Sequence, residues 1–321
     1  MKPVFSVVVP MYNEEEVIGE SLKRLTKVMI QAGQPYELLF VDDGSRDKSA
    51  QIVADASQKD ESVKLIRFSR NFGHMAAITA GLDFALGDAV MIIDADLQDP
   101  PELFLEMIAK WREGFDVVYG QRSERKGETI FKKISANIFY RFIRAMTEVD
   151  MPVDTGEFRL IDRKVCDAIK GIREKSRYIR GLVSWVGFKQ TAVHYIREKR
   201  FAGTTKYPLS KMIKFAIDAI TAFSYKPLKA ATQLGMGISV LSFFYLIYVL
   251  WQKLFTTSTT PGWASMVAII TFSQGIVLMV LGLIGEYIGR IFEEVKGRPI
   301  YLVQEFIGSE TKDGGSANAR A

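Results

Sequence analysis

The chain has 321 residues, 48% of them hydrophobic, 25% charged and 12% aromatic, with a formal net charge of +5. Its 25 glycines and 10 prolines follow no period, and its aromatic content is high, which excludes collagen-like, coiled-coil and disordered classes. A soluble-like charge fraction beside a slightly positive mean hydropathy (+0.07) predicts that the apolar residues are concentrated in one part of the chain.

The first two-thirds alternate strand and helix patterns. Phe5–Val9 is a β-branched apolar run, Glu14–Ile30 has helical periodicity and Glu37–Val41 is a second buried strand. Ser49–Gln58 follows as a helix, Val63–Phe68 as a strand and Met75–Ala85 as a helix opened by Gly73. Ala89–Ile93 is a strand, Pro101–Glu113 a helix with proline at its start, and Asp116–Tyr119 a strand. This alternation predicts an α/β fold, a mostly parallel sheet with helices on both faces.

Ligands of such sheets bind beyond the carboxyl ends of the strands. Three polar clusters stand there: Pro10-Met11-Tyr12-Asn13-Glu14, Asp42-Asp43-Gly44-Ser45, and Asp94-Ala95-Asp96-Leu97-Gln98-Asp99-Pro100-Pro101. Any one of them is explained equally well as a helix cap. Three at one sheet edge point to a site. Asp94, Asp96 and Gln98 form an oxygen-only set suited to Mg²⁺ or Mn²⁺, with substrate phosphates completing the shell. No GxGxxG follows the first strand, which argues against a dinucleotide fold, and Gly235-Met-Gly237 lies within an apolar run.

That apolar run belongs to the last third. An uncharged stretch runs from Ala230 to Trp251, and a longer one lies between Lys253 and Glu286. A bilayer core needs about 20 apolar residues per helix, so two spans are expected, near Ala230–Trp251 and Trp263–Gly285, joined by the turn Thr256–Gly262. Lys206, Lys211, Lys214, Lys226 and Lys229 precede the first span, and Arg290, Lys296 and Arg298 follow the second. This distribution places both ends in the cytoplasm. It also turns the positive charge away from nucleic acid and toward a membrane surface and phosphates. Gly285 and Gly289 have small-xxx-small spacing, which admits a homo-oligomer through the hairpin.

Two basic amphipathic stripes, Ile130–Met146 and Leu209–Phe223, match helices that bind the headgroup region. The lone Cys166 excludes an intramolecular disulfide and fits a reducing compartment, and the only histidines, His74 and His194, give no zinc spacing. Lys2 and the short run ended by Pro10 do not make a secretory signal.

In order, PMYNE, DDGS, DADLQDPPE, TGEFRLIDR and GTTKY resemble the family 2 glycosyltransferases of GT-A fold. The chain is most similar to the polyisoprenyl-phosphate branch, which includes dolichol-phosphate mannose synthases and bactoprenol glucosyltransferases, the latter also in its two C-terminal spans. The resemblance implies inverting transfer of one sugar from a nucleotide-sugar, most simply UDP-glucose, to undecaprenyl phosphate at the cytoplasmic face of the inner (plasma) membrane. UDP-N-acetylglucosamine and GDP-mannose are the alternative donors.

By the same resemblance, Pro10, Tyr12, Glu14 and Asp43 hold the nucleoside with support from Asp42. Asp94, Ala95, Asp96 and Gln98 hold metal and diphosphate, Arg122 lies near the phosphates, and Arg200 and Lys206 close a loop over donor and acceptor. Lys132, Lys133 and Ser135 are candidates for the acceptor phosphate. Members of that family commonly carry aspartate where this chain has Glu157 (TGEFR), which is expected to position substrate more than to remove a proton, with Asp154 or Asp162 able to share its role. Its competing reading is an ion pair with Arg159 or Arg163.

The implied organisation is a catalytic domain at 1–205, an amphipathic helix at 206–228, a hairpin at 229–286 and a cytoplasmic tail at 287–321. A processive synthase is the rival enzyme, but it calls for QxxRW and more spans, and neither is present. An inactive membrane-anchored scaffold is the rival outside enzymes, and the intact Asp94/Asp96/Gln98 set argues against it.

Overall fold

The computed structural model describes residues 2–123, 152, 155–175, 177–196, 226–255 and 262–308. They fall into two compact units, one built on 1–141, 149–212 and 298–321, the other on 142–148 and 213–297.

The first unit is an eight-stranded sheet. Its strands are β1 (Phe5–Met11), β2 (Tyr36–Asp42), β3 (Val63–Phe68), β4 (Ala89–Ile92), β5 (Val117–Arg122), β6 (Thr155–Asp162), β7 (Gln190–Tyr195) and β8 (Val303–Ile307). The order is β7-β5-β6-β4-β1-β2-β3-β8. β1 pairs in parallel with β2 and β4, β2 with β3, and β5 with β7; β6 and β8 run antiparallel to their neighbours. Every residue of β1 is buried, as expected for a central strand covered on both faces.

The helices are α1 (Ile18–Ala32), α2 (Ser49–Ser57), α3 (His74–Phe84), α4 (Phe104–Arg112, after a 3₁₀ turn at Pro101–Leu103), α5 (Arg163–Gly171) and α6 (Ile179–Trp185). On one face Phe5, Val7, Val9, Leu38, Phe40 and Met91 pack with Ile18, Leu25, Met29 and Phe104 of α1 and α4. On the other, α3 approaches β1 so closely that a Cβ at Gly81 would lie 2.0 Å from Val8 Cγ1. Only glycine fits there.

The strands and helices expected through residue 119 all form, with ends displaced by a few residues. The C-terminal region departs from expectation in two respects. The second unit contains α7 (Lys226–Phe255) and α8 (Trp263–Val295), so the last helix runs well past the expected end at 286. By length and composition, Phe272–Val295 is the one stretch among the described residues apolar enough to cross a membrane, and the expected first span lies within α7. Beyond α8, the expected tail supplies strand β8, which joins the sheet of the first unit. Nothing in the apolar pattern marks so short an edge strand.

Candidate active site

The carboxyl ends of the parallel strands gather the three polar clusters, and the loops there are laced together by backbone groups. Asn13 N donates to Ser45 Oγ at 2.9 Å, Glu14 N to Ser49 Oγ at 2.8 Å, and Arg46 N to Asn13 Oδ1 at 2.9 Å. Asn13 adopts a left-handed φ of 53°, which asparagine tolerates better than most residues. Gly44, at φ 74°, abuts the backbone of a third loop; a Cβ there would meet Arg70 C at 2.7 Å. Pro10 is buried in β1, and Tyr12 and Glu14 are half-buried just beyond it.

Asp42 and Asp43 take different roles at the end of β2. The fully buried Asp42 accepts from Ser45 N at 3.0 Å, and its Oδ2 lies 3.6 Å from Arg67 Nε. Asp43 accepts from Phe72 N at 2.6 Å and Gly73 N at 2.9 Å, which fixes the entry to α3. Burial pushes the Asp43 carboxyl above its ordinary range against the pull of those two amides, and the Asp42 charge pushes the same way.

Beyond β4 the chain leaves the extended state. Asp96 Oδ1 accepts from Gln98 N at 3.1 Å, and Leu97 has φ 57°. The antiparallel register of β4 and β6 runs from Ala89↔Asp162 to Ile92↔Arg159, and just beyond it Asp94 and Glu157 are near enough to repel each other. Asp94 Oδ1 is buried without a hydrogen bond, and His74 Nε2 from the start of α3 lies 3.4 Å away. Burial raises the Asp94 carboxyl most; His74 draws it back, while Asp96, Asp99 and Glu157 push it further up. The result is a concentration of negative charge with a buried oxygen that His74 faces but no hydrogen bond satisfies, an environment suited to a divalent cation. Of the three residues expected to hold a metal, Asp94 supplies the buried carboxylate oxygen, while Asp96 accepts from the Gln98 backbone amide. Among the described residues no group of three His, Cys, Asp or Glu side chains forms a complete cage, so such a cation would need oxygens from elsewhere, such as substrate phosphates.

Glu157 is buried, and its partner is one that the sequence did not disclose. Arg180 Nε, at the start of α6, donates to Glu157 Oε1 at 2.7 Å, and Arg159 Nη2 stands 3.6 Å from Oε2. The expected pairing with Arg159 is thus present as the longer contact. Arg163 instead donates from Nε to Gly87 O at 2.8 Å. Asp162 caps α5 through Lys164 N and accepts from Trp111 Nε1 at 2.8 Å, so it does not share the place of Glu157. Burial pushes the Glu157 carboxyl up, but Arg180, Arg159 and His74 together outweigh it and hold the group below its ordinary value. Arg159 and Arg180 also line a small pocket with Tyr119, Thr155, Tyr178 and Gln190.

Arg122 closes the edge at the end of β5. Its Nη2 lies 3.9 Å from Oδ1 of the buried Asp99, and its Nε donates to Tyr195 Oη at 3.4 Å. Tyr195 in turn donates to Asp99, and burial together with that carboxylate raises its phenol. Four residues of this edge were not singled out from the sequence: His74, Asp99, Arg180 and Tyr195. Asp99 stood inside a quoted motif, whereas the other three become neighbours only through the fold. Arg200, Lys206, Lys132, Lys133 and Ser135, with both amphipathic stripes and Asp154, lie outside the described residues.

A mostly parallel α/β sheet with acidic loops at its carboxyl edge defines the class as GT-A glycosyltransferase. The chain belongs to glycosyl transferase family 2, whose model matches residues 6–170, and the GtrB C-terminal hairpin model matches 226–291. It is 58% identical over 308 residues to the uncharacterized glycosyltransferase YkcC of Bacillus subtilis, covering 96% of this chain and 95% of that protein. It is 37% identical over 302 residues to the SfII prophage-derived bactoprenol glucosyl transferase of Shigella flexneri, covering 94% and 97%. Mannosyl-3-phosphoglycerate synthase from Rubrobacter xylanophilus shares the fold, with a TM-score of 0.50 at 17% identity over 73% of this chain and 75% of that one.

Proposed function

We propose that the protein transfers a single glucosyl residue, with inversion, from UDP-glucose to undecaprenyl phosphate at the cytoplasmic face of the plasma membrane. The observation that carries this reading is the buried Asp94 oxygen left without a hydrogen bond among Asp96, Asp99 and Glu157. The similarity to bactoprenol glucosyl transferases along nearly the whole chain supports the lipid acceptor and the sugar.

Asp94, Asp96 and Gln98 would hold Mg²⁺ or Mn²⁺, which neutralises charge on the departing diphosphate. Pro10, Tyr12, Glu14 and Asp43 line the nucleoside side, Asp42 holds their loop, and Arg122 serves the phosphates. An acceptor phosphate oxygen attacks the anomeric carbon as the bond to the nucleoside diphosphate breaks. A phosphate monoester has its second pKa near 6, at about neutral pH it is already largely ionised, and it needs little base. Glu157 suits that requirement. Two arginines hold it charged and weaken it as a base, so its role is to orient the acceptor or sugar.

Large apolar side chains stand exposed along both long helices, Leu241 and Phe244 on α7 and Phe272, Met279 and Leu281 on α8. At ~1.5 Å per residue each helix exceeds a ~30 Å hydrocarbon core. We read them as a two-span anchor with both ends cytoplasmic, with Lys132, Lys133 and Ser135 serving the acceptor phosphate at the interface and Arg200 and Lys206 closing a loop over donor and acceptor. Purified protein is to be incubated with Mg²⁺, undecaprenyl phosphate and a panel of nucleotide-sugars, with products detected by mass. A glucosyl lipid of inverted anomeric configuration is expected. Product only from UDP-N-acetylglucosamine or GDP-mannose reassigns the donor, and no product from any donor supports an inactive scaffold.

A further inference from the structure

The strand that seals the β3 edge of the sheet arrives from the C-terminal end of the chain, and it does more than cover an edge. β8 pairs with β3 from Leu65↔Ile307 to Phe68↔Val303, and Ser69 N donates to Leu302 O at 3.1 Å. Just ahead of it Tyr301 is fully buried. Its ring stacks on Phe68 with centroids 5.1 Å apart and planes within 10°. Its hydroxyl donates to Asp83 Oδ2 at 2.8 Å, and the same oxygen receives Arg173 Nη1 at 2.8 Å.

These contacts lead to the candidate site in two steps. Phe68 meets the edge of Phe72 at 5.8 Å, and the Arg70 guanidinium sits 4.0 Å over the Phe72 ring. The amides of Phe72 and Gly73 are the two that grip Asp43, and His74, 3.4 Å from Asp94, is the next residue. Loop 69–73 thus has Asp43 on one side and the aromatic stack closed by Tyr301 on the other. Without Tyr301 and β8, β3 becomes an unpaired edge strand, and the loop leading from it loses its outer support.

We propose that Tyr301 and β8 are a positioning element for the donor site. They act through Phe68 and Phe72 on the amides that orient Asp43, which rests on the reading of Asp43 as a nucleoside contact. Tyr301 touches no substrate in this scheme. Because the segment is the direct continuation of α8, a chain shortened after its last long helix keeps the catalytic carboxylates and loses the support of the nucleotide loop.

Full-length protein in detergent, wild type, Tyr301→Ala and Tyr301→Phe, is to be compared by hydrogen exchange and by steady-state kinetics with UDP-glucose and undecaprenyl phosphate. In Tyr301→Ala, exchange at the Phe72 and Gly73 amides is expected to rise by about 10-fold while amides of β1 and β4 keep wild-type rates. The KM for UDP-glucose is expected to rise by about 10-fold and that for undecaprenyl phosphate to change by less than about 2-fold. Tyr301→Phe keeps the stacked ring and recovers most of both effects. Unchanged exchange at Phe72 and Gly73 overturns the proposal, as does exchange that rises equally across β1 and β4. So does a faster-exchanging loop with an unaltered donor KM. Failure of the wild type to use any nucleotide-sugar tells against the glycosyl-transfer reading instead, since the exchange experiment needs no turnover.

Discussion

Arg180 donates to Glu157 across 23 positions of sequence, Nε to Oε1 at 2.7 Å, and with Arg159 and His74 holds below its ordinary value a carboxyl that burial pushes up. Replacing Arg180 with alanine leaves that buried charge with only the longer Arg159 contact. The expected cost is about 3 kcal/mol at neutral pH. Glu157 is shifted down from 4.5 in the folded state, so its contribution to stability is present above that value and fades as pH falls through the folded pKa. The deficit of Arg180→Ala against wild type should therefore shrink by pH 4. Denaturant titrations of both proteins at the two pH values check this.

The carboxylates beyond β4 predict an opposition between stability and activity. Asp94→Asn removes a charge that its neighbours crowd, so melting temperature should hold or rise while sugar transfer falls by roughly two orders of magnitude. Asp96→Asn should abolish transfer in a folded protein. Mn²⁺ should raise the melting temperature of the wild type and fail to do so for Asp94→Asn, a measurement independent of turnover. Unchanged transfer by Asp96→Asn would remove the metal assignment.

Gly81→Ala drives a methyl group into Val8, since a Cβ there would lie 2.0 Å from Val8 Cγ1. The expected loss is about 3 kcal/mol, the upper range for an overpacked core. Adding Val8→Ala should recover part of that loss, because the cavity it makes is the space the new methyl needs. A thermal melt of the single and double variants tests the pair.

The topology can be read chemically with little background. Cys166 is fully buried, and burial pushes its thiol up to about 11, which suppresses the reactive thiolate. A cysteine placed by Ser258→Cys should be labelled from outside intact cells by a membrane-impermeant maleimide, whereas one placed by Lys296→Cys should be labelled only after lysis. The reverse pattern would invert the proposed orientation.

The sheet was legible because buried parallel strands are written as continuous apolar runs, as in Phe5–Val9 and Leu38–Val41, with polar residues directly after them. The three acidic and polar loops could be assigned to one edge for the same reason, since parallel strands all end on one side. Pairings between distant segments had no such trace. Arg180 sits in a stretch without a motif, His74 opens an unremarkable helix, and Tyr301–Ile307 is too short and too mixed to announce a strand.

Local pattern determined what the chain could determine locally: which runs extend, which coil, where charge is absent for the length of a bilayer, and which oxygens follow which strands. Tertiary structure decided the partners. It set Arg180 rather than Arg163 against Glu157, tied Arg122 and Tyr195 to Asp99, and turned the segment after α8 from a tail into the edge strand beside β3. The physical reason is that burial and charge pairing depend on distances in space, and antiparallel additions such as β6 and β8 join the sheet from far along the chain with little periodicity of their own.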